Sequence, residues 1–480
     1  MLRMEPDRTL RTKLHQLECH FTWALIKDDI ELQDVFNRLQ EQIKMDLANK
    51  ERLARTYSAL AYVQFLQGFH EEAHNNLMIS MELHIECQRD EFHKTLIVTY
   101  GNLAWLNYHM TNYKECESYL MKLQKINETL PKETSSVPEV LGEKGWSFLK
   151  FSQKYYNRAK ECFRKALELE PDEGEWNTGY AIALYRTEFK SMEYTSEDSP
   201  TVKQLRRAID KNPDDDVLKV LLSLRLIVYK KNKEAESLVE KALERSPDHP
   251  HVNRYVGKYF RNQGSMDRSI TLLKRALEHS PDSKFIHHQL ALCYKQKKIQ
   301  LLQEQSHHTK GSRVQQIHDQ CIYHLEKATS LTTSFISAMS ELALLYGENL
   351  NKSRAEELFQ VTFKTAEEKN DNLHVVNFCY AEFQLYCHKC EPLAIKHFMK
   401  CLKLSPKSIE GKRSAHILKR IAEKRILRKS QEGEAYGILG FLHKEKGEKH
   451  KAIDCYEKAL SYKDNDEFLS NLCALRLSLQ

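Results

Sequence analysis

Four versions of one helix ending recur in the middle of the chain: ALELEPD (Ala166–Asp172), AIDKNPD (Ala208–Asp214), ALERSPD (Ala242–Asp248) and ALEHSPD (Ala276–Asp282). Pro213, Pro247 and Pro281 follow one another at 34 residues, and Pro171 precedes Pro213 by one such period plus 8 residues. A helix closing on Ala-Leu-Glu cannot run on through a proline, which has no N–H to donate and clashes with the turn before it. A period of 34 residues is that of tetratricopeptide-type helix pairs, which bury their apolar faces only against neighbouring pairs. The predicted fold class is therefore all-α, a superhelical tetratricopeptide-repeat solenoid.

The rest of the chain keeps the pattern, with a Leu-small pair near the start of each unit and a small residue twelve positions later, where two helices approach closely. It fits at Leu60-Ala61 with Ala73, Leu103-Ala104 with Cys116, Trp146-Ser147 with Ala159, Val256-Gly257 with Ser269, Leu342-Ala343 with Ala355 and Leu439-Gly440 with Ala452. Counting degenerate copies, there are ten units. Two carry insertions, near 187–198 and 297–318, each placed between the helices of a pair as a loop or a helix extension. The expected organisation is an N-terminal helical cap over 1–50, the array over 51–429, and a C-terminal repeat with its capping helix over 430–480, with SQEGE (Ser430–Glu434) as the candidate hinge.

Composition narrows the function. The surplus of 73 basic over 67 acidic residues is only +6, so charge distribution must decide whether anions are bound. Twelve cysteines in no disulfide framework, and no signal peptide, predict a reduced, cytoplasmic chain. No apolar run is long enough to span a membrane.

Catalytic signatures are missing: there is no phosphate-cradling glycine loop, no HExxH and no GxSxG. Cys387-His388-Lys389-Cys390 has no second CxxC at zinc-ribbon spacing, so helix packing is the better reading of its thiols and no metal site is assigned. Asp28-Asp29 and Asp214-Asp215-Asp216 stand at helix starts, where carboxylates cap or face water.

The first helices of the repeats carry the informative side chains. GWSFLKFSQKYY (Gly145–Tyr156), GYAIALYR (Gly179–Arg186), RYVGKYFR (Arg254–Arg261) and HHQLALCYK (His287–Lys295) interleave cations with rings. Trp146 and Lys150 share one helix face, as do Ile182 and Arg186. Such a wall suits single-stranded nucleic acid, because cations neutralise phosphates while rings stack on bases. Trp146, Tyr180 and Tyr255 taken singly also suit a core. A second basic feature is Lys412–Lys429, where Lys412, Arg413, Lys419, Arg420, Lys424, Arg425, Arg428 and Lys429 face one glutamate. With Ile417, Ile421 and Ile426 as the packing stripe, the basic face is expected outward, as a surface for nucleic acid or, failing that, for an acidic protein.

Several strings are more specific than the repeat: LECHFTW (Leu17–Trp23), AYVQFLQG (Ala61–Gly68), YGNLAWLNYHM (Tyr100–Met110), EKGWSFLKF (Glu143–Phe151) and the closing GFLHKEKGEKHKAIDCYEKAL. In these the chain resembles the interferon-induced proteins with tetratricopeptide repeats, from about residue 10 to its end. The resemblance implies a cytoplasmic antiviral effector that holds the 5′ end of non-self single-stranded RNA, bearing a triphosphate or an incompletely methylated cap, in a basic groove or tunnel and so blocks its translation. It places Arg38, Gln42, Lys150, Tyr156 and Arg186 at the terminal phosphates, and Asp34 at an acidic position that helps hold a phosphate-bound cation, the one cofactor implied. It places Arg254, Tyr255, Arg261, His288 and Gln289 along the next nucleotides, and Trp146 and Ile182 at the walls that receive a cap guanine. Paralogues or a second copy of the chain are the further partners. Asp46 and Val217 depart from the cap-binding pattern, as do Thr332 and Ser337 near Phe335. The competing reading is a protein scaffold of the co-chaperone kind, which wants Lys with Asn on successive inner helices; an RNA-processing enzyme has no catalytic constellation to support it.

Overall fold

A computed structural model describes residues 7–45, 49–87, 92–130, 137–188, 196–303, 310–332 and 334–479. These residues form α-helices and no strand. The chain divides into two compact units, 1–289 and 290–480.

The first unit opens with α1 (Asp7–His15) and α2 (Leu32–Met45). Helix pairs follow: α3 (Lys50–Gln67) with α4 (His70–Glu86), α5 (Phe92–His109) with α6 (Tyr113–Thr129), and α7 (Pro138–Phe151) with α8 (Tyr156–Leu169). Next come α9 (Gly174–Thr187) with α10 (Pro200–Lys211), α11 (Asp216–Leu226) with α12 (Asn232–Arg245), and α13 (Pro250–Asn262) with α14 (Met266–His279). The unit boundary falls inside α15 (Lys284–Gln303), which pairs with α16 (Lys310–Ser330). The second unit continues with α17 (Ile336–Glu348) and α18 (Lys352–Lys369), then α19 (Leu373–Glu382) and α20 (Glu391–Leu404). It ends with the single helix α21 (Ile409–Leu427), the pair α22 (Glu432–Glu445) and α23 (Lys449–Tyr462), and α24 (Asp466–Leu477). The ten expected units are thus ten helix pairs.

The punctuation acts as the sequence predicts: α8, α10, α12 and α14 each end two residues before Pro171, Pro213, Pro247 and Pro281. The small positions are where helices touch. Ser269 Oγ donates to the Gly257 carbonyl at 2.7 Å, and the Cys321 thiol donates to the Ala291 carbonyl at 3.2 Å, the same contact spanning the second insertion. That insertion is therefore built as helix, in lengthened α15 and α16 of 20 and 21 residues. Large rings fill the gaps the small residues leave; Phe163, Phe359 and Phe398 are wholly buried, each contributing about 1.5–3 kcal/mol of transfer free energy. Within the second unit the Ser430–Glu434 segment is two bend residues and the first turn of α22, crossed by an ion pair between Arg425 and Glu434 at 2.7 Å. All twelve cysteines are free thiols. Among the described residues, no helix is long and apolar enough to cross a membrane.

Candidate functional site

Helices α2, α3, α7, α9, α11 and α13 surround a cavity of about 520 Å³ inside the first unit. Of the residues expected at an RNA 5′ end, Arg38, Gln42, Trp146, Lys150, Ile182, Arg186, Arg254 and Tyr255 line it, and so does Val217. The helical spacing explains this: Trp146 and Lys150 lie one turn apart on α7, as do Ile182 and Arg186 on α9, so each helix shows one apolar and one basic group to the same space.

The cations are held by the end of a helix. Arg38 Nη2 donates to the Lys150 carbonyl at 3.0 Å and Arg186 Nη1 donates to the Leu149 carbonyl at 2.8 Å. Both oxygens belong to the last turn of α7, whose carbonyls lack intrahelical partners and carry the negative end of the helix dipole. Two guanidiniums from α2 and α9 are thereby fixed side by side before any anion arrives; Arg38 also gives its Nε–H to Asp34 at 2.9 Å, and each guanidinium has five N–H donors in all. Lys150 itself donates to Thr56 Oγ1 at 3.2 Å.

The electrostatics of the cavity are positive where these groups meet Arg254. The Arg186 guanidinium lies over the Tyr156 ring at 5.1 Å, and that of Arg254 over Tyr255 at 4.8 Å. Neither arginine has a carboxylate partner among the described residues. Burial by itself would raise the Tyr255 pKa, yet Arg254, Arg186 and Lys258 outweigh it and hold the phenol below its ordinary value. His251, facing Arg254 first and then its own burial, is pushed well below the ordinary imidazole range and stays neutral. Both groups report a field suited to an anion. Of the wall's carboxylates, Glu175 is paired with Arg52 at 2.8 Å and Arg55 at 2.9 Å, Asp216 with Lys219 and Arg245, each at 2.9 Å, and Glu41, bonded to Ser280, faces Arg254 and Arg38. Asp215 caps α11, accepting from the Val217 and Leu218 amides.

Other expected residues stand outside the cavity lining. Asp34 is 9% exposed and clamped between Arg38 at 2.9 Å and Lys284 at 3.0 Å, so its charge already balances two cations. Tyr156 supports Arg186 from beneath. Arg261 donates to the Gln289 side chain at 3.1 Å, which places these two with His288 on the neighbouring faces of α13 and α15. Asp46 lies outside the described residues.

In the second unit the Lys412–Lys429 reading needs correction. The buried stripe of α21 is Gly411, Ser414, Leu418, Ile421, Ala422 and Arg425; Ile421 is buried as predicted, whereas Ile417 and Ile426 are half-buried at its margins. Arg425 is therefore turned inward, its side chain 7% exposed, between Glu391 at 2.8 Å and Glu434 at 2.7 Å. Arg413 pairs with Glu382 at 2.9 Å and covers Phe378. Lys412, Lys419, Arg420, Lys424, Arg428 and Lys429 remain at the surface. Thr332 is buried, close to Phe335 and Ser337 in the same unit. No cluster able to hold a metal occurs among the described residues, those around Cys387 and Cys390 included.

Sequence reasoning missed Arg52, Arg55, Glu175, His249 and His251, all of which line the cavity. Arg52 and Arg55 sit three apart on α3, close enough to share a helix face, and this was the available signal. His249 is hidden in the proline-rich stop before α13, where it caps that helix by accepting from the Val252 amide.

Comparison with known proteins gives the setting. The tetratricopeptide repeat family matches residues 147–173, 231–284 and 433–466. The human antiviral innate immune response effector IFIT1 is 34% identical over 460 residues, covering 95% of this chain and 96% of that protein. Human interferon-induced protein with tetratricopeptide repeats 2 is 33% identical over 459 residues, covering 94% and 95%. Among solved structures, the human IFIT1 dimer with PPP-AAAA aligns with a TM-score of 0.81 at 33% identity, over 95% of this chain and 100% of that one. The dimer with m7Gppp-AAAA aligns at 0.83 with the same identity and coverage.

Proposed function

The chain belongs to the interferon-induced proteins with tetratricopeptide repeats, and we propose that it is an antiviral effector that binds the 5′ end of non-self single-stranded RNA in the first unit's cavity. The observation that carries this reading is the pair Arg38 and Arg186, anchored on the last carbonyls of α7 beside Lys150. A triphosphate brings several negative charges, and burying them is tolerable only against donors fixed in advance. Solved human IFIT1 with PPP-AAAA and with m7Gppp-AAAA supports the same ligand class.

In this reading Arg38, Lys150 and Arg186 hold the terminal phosphates, Gln42 adds a polar contact, and Trp146 and Ile182 flank what lies beyond them. Arg254 and Tyr255 guide the next nucleotide, with Arg261, His288 and Gln289 further along the strand. Because Asp34 is already shared by two cations, phosphate recognition rests on the basic groups, and a bridging metal cation is secondary. The strand is held by charge and stacking with little reading of base edges, so sequence preference is small. Action is by occupancy in the cytoplasm: a captured 5′ end is withheld from translation and no bond is broken. The exposed cations of α21 add a surface for RNA outside the cavity, and paralogues or a second copy of the chain are further partners, a self-association supported by the human IFIT1 dimer. A scaffold that clamps a peptide carboxylate is less favoured, because these cations are arginines seated on tyrosines and helix-end carbonyls.

The test is a titration with one oligonucleotide bearing 5′-triphosphate, unmethylated cap, methylated cap or 5′-hydroxyl. Strong binding of the triphosphate over the hydroxyl is expected; equal affinity for those two rejects the 5′-end reading.

A further inference from the structure

Beneath the cavity lies a buried carboxyl that the phosphate reading does not use. Glu143, on α7 and 4% exposed, accepts from Ser58 Oγ of α3 at 3.0 Å. Asn102 of α5 donates to Ser58 Oγ at 3.2 Å and to His20 Nδ1 at 2.9 Å. His20 Nδ1 being the acceptor, its Nε2 carries the proton and donates to Ser147 Oγ at 2.9 Å, while Ser147 donates back to the Glu143 carbonyl at 2.8 Å. The chain of bonds thus begins and ends on Glu143, and the neutral imidazole adds no charge to it.

The charged groups facing Glu143 are two cations of the cavity wall, Arg55 from α3 and Lys150 from its own helix. Behind Arg55 stand His84 of α4, which is neutral, and Glu175 of α9, which is ionised. Arg38, Arg52 and Arg55 are paired with Asp34, Glu175 and Glu51, but the empty cavity still holds Lys150, Arg186 and Arg254 together, and an ionised Glu143 behind Arg55 and Lys150 offsets part of their repulsion. Once phosphates supply that negative charge, a second anion buried behind the same cations has lost its purpose and keeps only its desolvation cost.

We propose that Glu143 is a positioning residue for the phosphate site, ionised when the cavity is empty and protonated from water when 5′-phosphorylated RNA enters, so that binding and proton uptake are coupled. This rests on the 5′-end reading above. Burial, opposed by the Ser58 bond and by Arg55 and Lys150, raises the free carboxyl to about 7, so a proton is available to be taken up near neutral pH. The sign follows: binding takes up a proton, so affinity rises as pH falls and declines as pH rises above about 7.

The experiment measures binding of 5′-triphosphate single-stranded RNA between pH 6 and 8.5 at fixed ionic strength, for the unaltered protein and Glu143→Gln, which keeps the acceptor for Ser58. The ligand's terminal phosphate and His251 contribute to the pH slope of both, so the difference between them is the readout. Equal affinity at pH 6 and binding by Glu143→Gln about five- to tenfold tighter at pH 8.5 are expected, the value for a carboxyl whose pKa the bound phosphates raise by about one unit. Parallel pH profiles, or a variant weaker at every pH, overturn the proposal. Should the variant fail to fold, difference infrared spectra of the unaltered protein at pH 8 decide: a protonated carboxyl band must appear on adding the triphosphate strand, and its absence overturns the coupling. Preference for triphosphate over hydroxyl without that band rejects the role of Glu143 alone; no preference rejects both readings together.

Discussion

The side-chain amide of Asn253 donates to the carbonyl oxygen of Pro247 at 2.9 Å, six residues back across the repeat boundary. Asn177 makes the same bond to Pro171 at 3.0 Å, and His287 makes it to Pro281 at 2.9 Å. Each proline thus stops one helix and supplies the oxygen that seats the next, and all three donors are buried.

That recurrence predicts which substitutions the boundary accepts. Asn253→Leu removes the buried donor and leaves the Pro247 carbonyl with Arg275 at 3.3 Å, so a loss of about 0.5–1.5 kcal/mol in urea unfolding is expected. Asn253→His should cost less than half as much, because His287 fills the equivalent place one period later. Equal losses for the two would mean that shape, not the hydrogen bond, sets the position.

A second expectation concerns the cavity wall. Arg55, 7% exposed, holds Glu175 at 2.9 Å and Glu51 at 3.3 Å. Arg55→Leu leaves a mostly buried carboxylate with Arg52 as its remaining partner and should cost about 1–3 kcal/mol, whereas Arg55→Met combined with Glu175→Met should recover most of that loss. Chemical denaturation of the two variants measures it; a double variant as unstable as the single one refutes the ion-pair account.

The same wall shows how far the sequence can be read. Helix ends were legible because Pro171, Pro213, Pro247 and Pro281 act locally, through a missing N–H and a fixed φ. Trp146, Lys150, Ile182 and Arg186 were legible because helical spacing shows which neighbours share a face. Arg52 and Arg55 were not, since nothing local on α3 says that Glu175, some 120 residues away, turns toward them. Arg425 was misplaced for a related reason: it lies one turn after Ile421 on the same helix face, but a cation is buried there only because of acids from α20 and α22, which nothing local on α21 announces.

Arg186 combines a structural bond with an expected phosphate contact. Arg186→Glu should weaken binding of triphosphate RNA at least about a hundredfold while loss of the Leu149 bond costs only about 1 kcal/mol, leaving the circular dichroism spectrum unchanged. Arg186→Lys keeps the charge without the planar fork and should fall between, near tenfold. Unaltered binding by Arg186→Glu in fluorescence anisotropy removes the residue from the site.

On α21 the correction at Arg425 separates two effects. Replacing Lys419, Arg420, Lys424 and Arg428 together by Gln should flatten the dependence of RNA affinity on salt, by about 0.7 in log–log slope for each phosphate that is no longer neutralised. Arg425→Gln should leave that slope alone and lower the unfolding midpoint instead, because it leaves Glu391 and Glu434 without their shared partner. An unchanged slope in the fourfold variant would make the strip merely solvated.

The acid sensitivity of the first unit has an identifiable source in His84. Burial first, and the Arg55 charge next, push its pKa down to about 3, and neither of its buried ring nitrogens has a hydrogen-bond partner among the described residues. Between that value and the ordinary 6.5, the unfolded chain binds a proton that the folded chain refuses. Stability contributed by this site is therefore full above about 6.5 and is lost as pH falls, at up to about 1.4 kcal/mol per pH unit. His84→Leu fills the same space without polar atoms, so it should raise stability by about 1 kcal/mol or more at pH 7.5, where the unpartnered nitrogens are the only penalty removed. It should also remove one proton from the acid slope, leaving the similar contribution of His20, whose pKa is likewise near 3. Urea midpoints compared at pH 7.5, 5.5 and 4.5 measure both effects, and a variant whose midpoint falls in parallel with the unaltered protein rules His84 out.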